Sequence, residues 1–222
     1  SYTLLNVNDS LCNTLACDLS EQVLVSCGKS GHRDAGSCSG GYVSYASDYI
    51  RDTGLPVESC YPYEAENGQC SAACSSWNTV TYRIGAWDYV ATTAPTVENI
   101  KNALYIYGPL ATTMDVYQDF HDYYESGVYS YVSGSYEGGH AILIVGYEDN
   151  PAYPGGGCFR VKNSWDADWG EDGFFRIAYS ELSSVVHFGD WTIAYRITAA
   201  LRSGDFAPAD CDVDGSDMAA LI

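Results

Sequence analysis

Residues 139–147, GHAILIVGY, decide how the second half of this chain folds. The apolar run after His140 is short, rich in β-branched residues and bounded by glycine, which is typical of a buried strand. A histidine at the start of such a strand is held rigidly at the end of a sheet, where an imidazole suits a general base. The other interpretation is a histidine whose ring is satisfied by backbone hydrogen bonds.

A second segment, VKNSWDADWGEDGFFRI at residues 161–177, places Asn163 close to Trp165 and Trp169. A buried amide oxygen can accept a hydrogen bond from an imidazole N–H and so set the orientation and tautomer of that ring. A neighbouring indole such as Trp165 shields the bond from water and strengthens it. The alternative is a turn-forming asparagine beside a tryptophan of the core.

Helices are predicted mainly in the first half of the chain and strands in the second half. Residues 41–53 carry apolar side chains at helical spacing and are followed by Gly54, and a second helix is predicted over Val97–Tyr107 with Thr96 as its N-cap. Strands are predicted at residues 110–116, 141–147, 158–165, 173–178 and 191–197. This segregation predicts an α+β fold rather than alternating βαβ units.

Composition excludes several classes of function. The 10 basic and 29 acidic residues give a net charge of −19, and so acidic a chain repels phosphate backbones, which argues against a nucleic-acid partner. The hydrophobic share of 46% supports a real core rather than a disordered chain. No run approaches the roughly 18 consecutive apolar residues of a membrane helix, so no membrane span is expected.

The nine cysteines favour an oxidising compartment with several disulfides, and therefore an extracellular or secreted protein. Zinc-finger spacing is missing and the four histidines are few, so a structural zinc site is weakly supported. The odd count leaves at least one thiol unpaired, and Cys158, in a strand-like run, is a candidate buried free thiol. Ser1 is interpreted as a mature, processed or truncated end, since it carries no initiator Met and no signal peptide.

Taken in order, the motifs resemble those of papain-like cysteine proteases of the cathepsin type. The segments at 139–147 and 161–177 match the family's His and Asn blocks, and earlier matches precede them in the same order. These are LSEQVLVSC at 19–27, CSGGY at 38–42, YPYE at 61–64 and YGPL at 107–110. The resemblance implies a papain-like fold of two lobes, one helical and incomplete, the other an antiparallel β-sheet or barrel.

The resemblance also implies roles for individual residues. His140 is expected to act as base and then acid beside a nucleophilic thiolate, Asn163 to orient His140, and Trp165 to cover their hydrogen bond. Gly40 and Gly41 are expected to pair through their backbone with an extended peptide substrate. The remaining substrate-binding residues are expected to be Tyr42, Thr113 and Ala141, in the pocket for the second side chain upstream of the scissile bond, and Trp169 on the leaving-group side.

The nucleophile is the point of departure from the family. Its motif, C-G-[SA]-C-[WY], lies about 130–150 residues before the histidine in that family and does not occur here. Cys12 and Cys17 lack the flanking Gly and aromatic residue, and a local bridge between them is also plausible. We interpret residues 1–5 as the tail of the nucleophile helix, with the cysteine and the oxyanion-hole Gln missing upstream. The chain alone is then expected to be inactive; a relocated nucleophile at Cys12 or Cys17 is a further alternative.

The resemblance pairs Cys27 with Cys70 and leaves Cys38 without its partner. A local bridge between Cys60 and Cys74 is plausible, although connectivity does not follow from sequence alone.

The last residues differ from the rest. We expect a peptidase domain over residues 1–200, a linker over 201–209 and a partial calcium loop over 210–222. Asp210, Asp212 and Asp214, followed by Gly215, match the opening of a calcium loop, but Leu221 stands where its Glu belongs. A second register ends at Asp217 and resembles half of a dockerin-type repeat, with Phe206 at a ligand position. The alternative is a solvated acidic tail.

The sequence therefore predicts a secreted cysteine-type endopeptidase that acts on peptide or protein substrates. No cofactor is expected for catalysis; Ca²⁺ and a docking partner are candidates for the tail. The competing hypothesis is a non-catalytic peptide-binding or adhesion module with the papain fold.

Overall fold

The computed structural model describes residues 18–28, 34–79 and 81–196, and these fall into two compact units. The first unit contains the described residues up to Trp87 together with Tyr195 and Arg196, and the second is Asp88–Ala194. Residues 1–5, Cys12, Cys17 and everything predicted for residues 201–222 lie outside the described residues. No helix in the described part of the chain is long and apolar enough to cross a membrane.

The first unit is built on two helices, α1 (Glu21–Cys27) and α2 (Val43–Asp52). Helix α1 begins where the Ser20 side chain accepts a hydrogen bond from the Val23 N–H, and Glu21 lies in its first turn. Short 3₁₀-helices follow at Glu58–Cys60 and Cys70–Ala72. Two disulfides join these pieces, Cys27–Cys70 and Cys60–Cys74, as the sequence suggested.

Helix α2 confirms the helix predicted near residues 41–53. Its buried face carries Ala46, Tyr49 and Ile50, which have helical spacing in the sequence. The helix is followed by Gly54 at φ +82°, where a Cβ would meet the Tyr82 carbonyl oxygen at 2.5 Å. Only glycine fits both the left-handed backbone and the close approach.

The second unit is dominated by a sheet, which has seven strands in the described part of the chain. The strands are β1 (Ala86–Ala91), β2 (Leu110–Tyr117), β3 (Val128–Tyr129), β4 (Tyr136–Asp149), β5 (Gly157–Lys162), β6 (Phe174–Ala178) and β7 (Asp190–Arg196). Their order in the sheet is β1-β7-β2-β4-β5-β6-β3. The pairs β2–β7, β2–β4, β4–β5 and β5–β6 are antiparallel, whereas β3 runs parallel to β6, a departure from the antiparallel expectation.

Two helices accompany the sheet, α3 (Val97–Tyr107) and α4 (Gln118–Tyr123), with 3₁₀ turns at Pro154–Gly156 and Tyr179–Ser183. Helix α3 has the predicted bounds because its start and stop are local signals. The Thr96 and Asn99 side chains form a capping box, and Gly108 at φ +82° ends the helix. Its buried residues Ile100 and Ala103 join the core of the second unit.

Two strand boundaries differ from the sequence prediction. Strand β4 begins at Tyr136 rather than near residue 141, because β2 supplies partners for the glycine pair: Val116 lies opposite Gly138 and Asp115 opposite Gly139. Strand β5 ends at Lys162 rather than at residue 165. His140 therefore lies inside a strand, whereas Asn163 lies just beyond the end of one.

Candidate active site

His140 and Asn163 come together in the second unit. His140 lies opposite Met114 in the β2–β4 pairing, and its Nε2 is 2.8 Å from Oδ1 of Asn163. The backbone of Asn163 donates a hydrogen bond to the Gly173 carbonyl at 2.9 Å, which holds the residue directly after β5. Two segments 23 residues apart in sequence are thus joined by the pairing of β4 with β5.

The hydrogen bond determines which nitrogen of His140 carries the proton. Oδ1 of Asn163 also accepts the backbone N–H of Ser164 at 2.9 Å, so this atom is the acceptor oxygen of the amide. Nε2 must then be the donor, and Nδ1 of the neutral ring is the basic nitrogen. No described residue forms a hydrogen bond with Nδ1. The ring is therefore poised to take up and release a proton at Nδ1.

Asn163 itself is 5% exposed, and its Nδ2 has no hydrogen-bond partner among the described residues. A buried donor left unpaired costs about 1–3 kcal/mol. Stability alone therefore does not account for this amide, whereas a role in orienting the His140 ring does.

Trp165 stacks on the His140 ring, with centroids 4.8 Å apart and planes inclined by 26°. Behind it, Trp169 packs edge-on at 5.0 Å and Phe120 of α4 lies at 5.8 Å. Burial lowers the pKa of His140 below its ordinary value, and the hydrogen bond that its ring donates to Asn163 partly offsets this effect. The neutral form of the imidazole is therefore favoured, and the ring is held in one orientation.

The loop that carries Asn163 and both tryptophans is held at its far end by Glu171. That carboxylate accepts hydrogen bonds from Nη2 of Arg176 at 2.8 Å and from the Gly127 N–H at 2.8 Å. The Arg176 hydrogen bond lowers the pKa of Glu171, so the pair stays ionised at neutral pH.

Helix α4 was not predicted from sequence, although it supports the site. Its residue Phe120 is fully buried and contacts both Trp165 and Trp169. The only sequence signal was the aromatic content of residues 117–124, which by itself does not distinguish a helix from a strand.

The predicted substrate-binding residues are distributed between the two units. In the second unit, Thr113 lies opposite Ala141 in the β2–β4 pairing, and its hydroxyl donates to the Asp190 carbonyl at 2.9 Å. Gly40, Gly41 and Tyr42 belong to the first unit, where Tyr42 is 69% exposed and packs against Tyr45.

Gly40 and Gly41 differ in the hydrogen bonds of their backbone groups. Its N–H and C=O are both bonded to Ser37, in a tight turn, at 2.9 and 3.0 Å. Gly41 has no backbone hydrogen bond to any described residue, and a Cβ there would meet the Ala35 carbonyl oxygen at 2.8 Å. Gly41 is therefore the glycine of this pair with groups available to an extended peptide.

Two described cysteines are free, Cys38 and Cys158, and burial argues against Cys158 as a nucleophile. Cys158 is buried in β5, and burial raises the pKa of its thiol. Cys38 is exposed and unpaired in the first unit, as expected of an orphaned cysteine. Cys12 and Cys17, the two alternatives considered from sequence, lie outside the described residues.

Comparison with known proteins agrees with this fold. A family model described as "Papain family cysteine protease" matches residues 3–188. The chain therefore belongs to the papain family of cysteine proteases, and it has the papain-like fold with mixed α and β content.

Relatives include "Cathepsin B-like CP3" of Giardia intestinalis, 37% identical over 171 residues, and "Cathepsin L-like" of Caenorhabditis elegans, 38% identical over 165 residues. These matches cover 73% and 72% of this chain but only 53% and 45% of the relatives, so the chain spans about half their length.

Among solved structures, proCathepsin B S9 from Trypanosoma congolense has a TM-score of 0.64 at 28% identity, covering 81% of this chain and 60% of that one. The bromelain protease of Ananas comosus, in complex with the E64 inhibitor, has a TM-score of 0.62 at 27% identity, covering 82% and 79%.

Proposed function

We propose that this protein is a cysteine-type endopeptidase that hydrolyses peptide bonds through a Cys-His-Asn triad. The observation that carries the proposal is the 2.8 Å contact of His140 Nε2 with Asn163 Oδ1, under the stacked ring of Trp165. This contact leaves Nδ1 as the basic atom, as a general base of a thiol requires. Family membership supports the same chemistry.

In the proposed reaction, Nδ1 of His140 takes the proton of a cysteine thiol, and the thiolate attacks the peptide carbonyl carbon. His140 then returns the proton to the leaving amine as the C–N bond breaks, which leaves a thioester. A water molecule then attacks the thioester carbonyl carbon while His140 takes its proton. The C–S bond breaks, the carboxylic acid product leaves, and His140 returns the proton to the sulfur, which regenerates the thiol. Asn163 keeps the ring in place through both transfers, and Trp165 excludes water from their hydrogen bond.

We further propose that the 222-residue chain does not turn over peptides by itself, because it contains no C-G-[SA]-C-[WY] motif. We place the protein in an extracellular or secreted setting, which two disulfides in the first unit favour.

The decisive test combines hydrolysis of a fluorogenic peptide library with labelling by a thiol-directed epoxide and mass-spectrometric mapping of the label. It is run on the 222-residue chain and on the full natural gene product. We expect no turnover and no label on Cys12 or Cys17 in the chain. In the full product we expect turnover and one labelled cysteine, with His140→Ala reducing both by about 10²- to 10⁴-fold.

The matched control is His187→Gln, which removes an exposed histidine of the same unit that contacts Asp115 at 2.7 Å. It should leave turnover unchanged. A full product that binds peptides but neither cleaves them nor takes the label would overturn the peptidase proposal in favour of the peptide-binding or adhesion module. A label on Cys12 or Cys17 would overturn the proposed inactivity of the chain.

For the acidic tail we propose Ca²⁺ binding by Asp210, Asp212, Asp214 and Asp217, in a module that docks onto a partner protein. The support is the D-x-D-x-D-G spacing alone. Calcium titration calorimetry compares the full gene product with a variant that carries both Asp212→Asn and Asp214→Asn. The double variant should bind one Ca²⁺ fewer than the parent. An unchanged isotherm would contradict it.

A further inference from the structure

Three polar side chains converge beside Trp165 and play no part in the proposed triad. His121 and Asp122 lie on α4, and Glu137 lies on β4, two glycines before His140. Nδ1 of His121 is 3.0 Å from Oδ1 of Asp122 and 3.2 Å from Oε2 of Glu137. Within the described residues, this is the one group of three such side chains whose ligand atoms lie within 4.8 Å of one another.

The charges of this group are unbalanced. Two carboxylates approach one imidazole nitrogen, which carries at most one proton and so cannot donate a good hydrogen bond to both. No Lys or Arg among the described residues pairs with Asp122 or Glu137. A cation at the point of convergence relieves the repulsion between the carboxylates and replaces the proton on Nδ1.

The distances from His121 Nδ1 to the two carboxylates suit a metal ion. Two ligands that each lie about 2.0–2.2 Å from an ion are separated by roughly 3.0–3.5 Å at octahedral or tetrahedral angles. The two distances from His121 Nδ1, 3.0 and 3.2 Å, fall in that range. One imidazole and two carboxylates form a mixed nitrogen and oxygen ligand set typical of Zn²⁺ and related ions.

Two of the three ligands are already oriented by neighbours. Nε2 of Gln118 donates to Oδ2 of Asp122 at 3.2 Å, so the other oxygen of that carboxylate faces His121. The His121 ring meets Trp165 edge to face, with centroids 5.5 Å apart and planes inclined by 86°. Such outer contacts, which hold ligands before the ion arrives, raise metal affinity. At 53% side-chain exposure, His121 is also accessible from solvent.

We infer that His121, Asp122 and Glu137 form a surface site for a divalent transition-metal ion of the zinc class. The ion lies against one side of Trp165, while His140 stacks on that same indole ring. Metal binding thus places positive charge near the proposed base and ties α4 to the start of β4. Any effect on peptide hydrolysis rests on the proposed function, whereas the binding itself does not.

The test is titration calorimetry with ZnCl₂ on protein whose free thiols have been alkylated, in excess CaCl₂. Alkylation removes thiol ligands and any peptidase activity, and Ca²⁺ occupies hard oxygen sites. The full-length chain should bind one Zn²⁺ at this site, and His121→Gln and Glu137→Gln should each weaken binding at least about 10-fold. If Zn²⁺ does not bind, the peptidase proposal is unaffected, because this experiment measures no turnover.

The matched control is His187→Gln, since His187 is similarly exposed but faces only Asp115. It should leave the isotherm unchanged. Co²⁺ supplies a second readout, since bound Co²⁺ should give visible absorption bands in the unchanged chain. These bands should be absent from His121→Gln, and circular dichroism checks that this variant is folded. Identical Zn²⁺ isotherms for the unchanged chain and for His121→Gln would overturn the inference, as would equal loss in His187→Gln.

Discussion

The two units of this chain are stabilised by different means. In the described part of the first unit, two disulfides enclose loops of 43 and 14 residues. The buried Gln22 side chain there bonds to Ser26, to the Glu66 carbonyl and to the Glu64 N–H. In the described part of the second unit, Cys158 is the one cysteine and it forms no disulfide. The second unit instead depends on an apolar and aromatic core around Phe120.

This difference explains where the candidate site lies. Stacked rings and strand pairings hold His140 and Asn163 within hydrogen-bond distance, and close packing resists displacement of a side chain in every direction. A disulfide restrains the unfolded chain and leaves local freedom in loops. The segment with the exposed Tyr42 lies in the disulfide-linked unit.

Reduction of both disulfides should produce the largest change. Chain-entropy estimates give about 3 kcal/mol for the 14-residue loop and about 4 kcal/mol for the 43-residue loop. Hydrogen exchange, measured with and without reductant, should show loss of protection in residues 34–79 and a smaller change in residues 97–190. Equal loss in both ranges would contradict the contrast between the units.

Phe120→Ala should lower the free energy of unfolding of the second unit by about 3–5 kcal/mol, because the ring is fully buried against Trp165, Trp169 and Phe175. Urea denaturation followed by tryptophan fluorescence measures the change. Tyr105→Ala is the control, since Tyr105 is 90% exposed and its loss should cost less than about 0.5 kcal/mol. Similar effects of the two substitutions would argue against an aromatic core centred on Phe120.

Glu171→Gln should cost about 1–3 kcal/mol, because it removes the charged partner of Arg176 in a partly buried site. Since Arg176 lowers the folded-state pKa of Glu171, the stabilisation is present above the carboxyl pKa of the unfolded chain and is lost as pH falls through the lowered value. Thermal unfolding from neutral to acidic pH should therefore show a gap between variant and parent that closes at low pH. A constant gap would contradict the ion pair.

Asn163→Ala should have the smallest effect on the free energy of unfolding, and it should also shift the pKa of His140. Its hydrogen bond raises the pKa of His140, so its removal should lower that pKa further below the ordinary histidine value. Because the folded-state pKa is already depressed, stability should fall as pH drops from the unfolded-state pKa to the folded one.

Nitrogen-15 NMR of the imidazole measures this shift. Asn102→Ala is the control, since the Asn102 amide donates to Glu98 on the exposed side of α3 and should leave His140 unchanged. A His140 titration that is the same in Asn163→Ala as in the parent would show that the amide does not orient the ring.

Elements with local signals were predictable from sequence. Helix α3 has the predicted bounds because Thr96 and Gly108 act on their immediate neighbours. The pairing of Cys27 with Cys70 followed from the resemblance to the family, and the structure confirms it. His140 and Asn163 were singled out by their flanking residues in the same way.

Elements that depend on distant partners were not predictable. The start of β4 depends on pairing with β2, and the parallel contact of β3 with β6 joins Val128 to Arg176 across 48 residues of sequence. Helix α4 has too few residues for a periodic pattern, so the placement of Phe120 under the tryptophans could not be read from the chain.

The sequence by itself determined the family and the α+β class, and it indicated His140 and Asn163 as candidates, because ordered motifs and caps are properties of neighbouring residues. Only the tertiary structure decided that Nδ1 is the basic atom of His140, that the backbone of Gly40 bonds to Ser37, and that His121 and Asp122 meet Glu137. Hydrogen bonds and charge contacts of this kind depend on ångström-scale distances between segments far apart in sequence, which packing alone establishes.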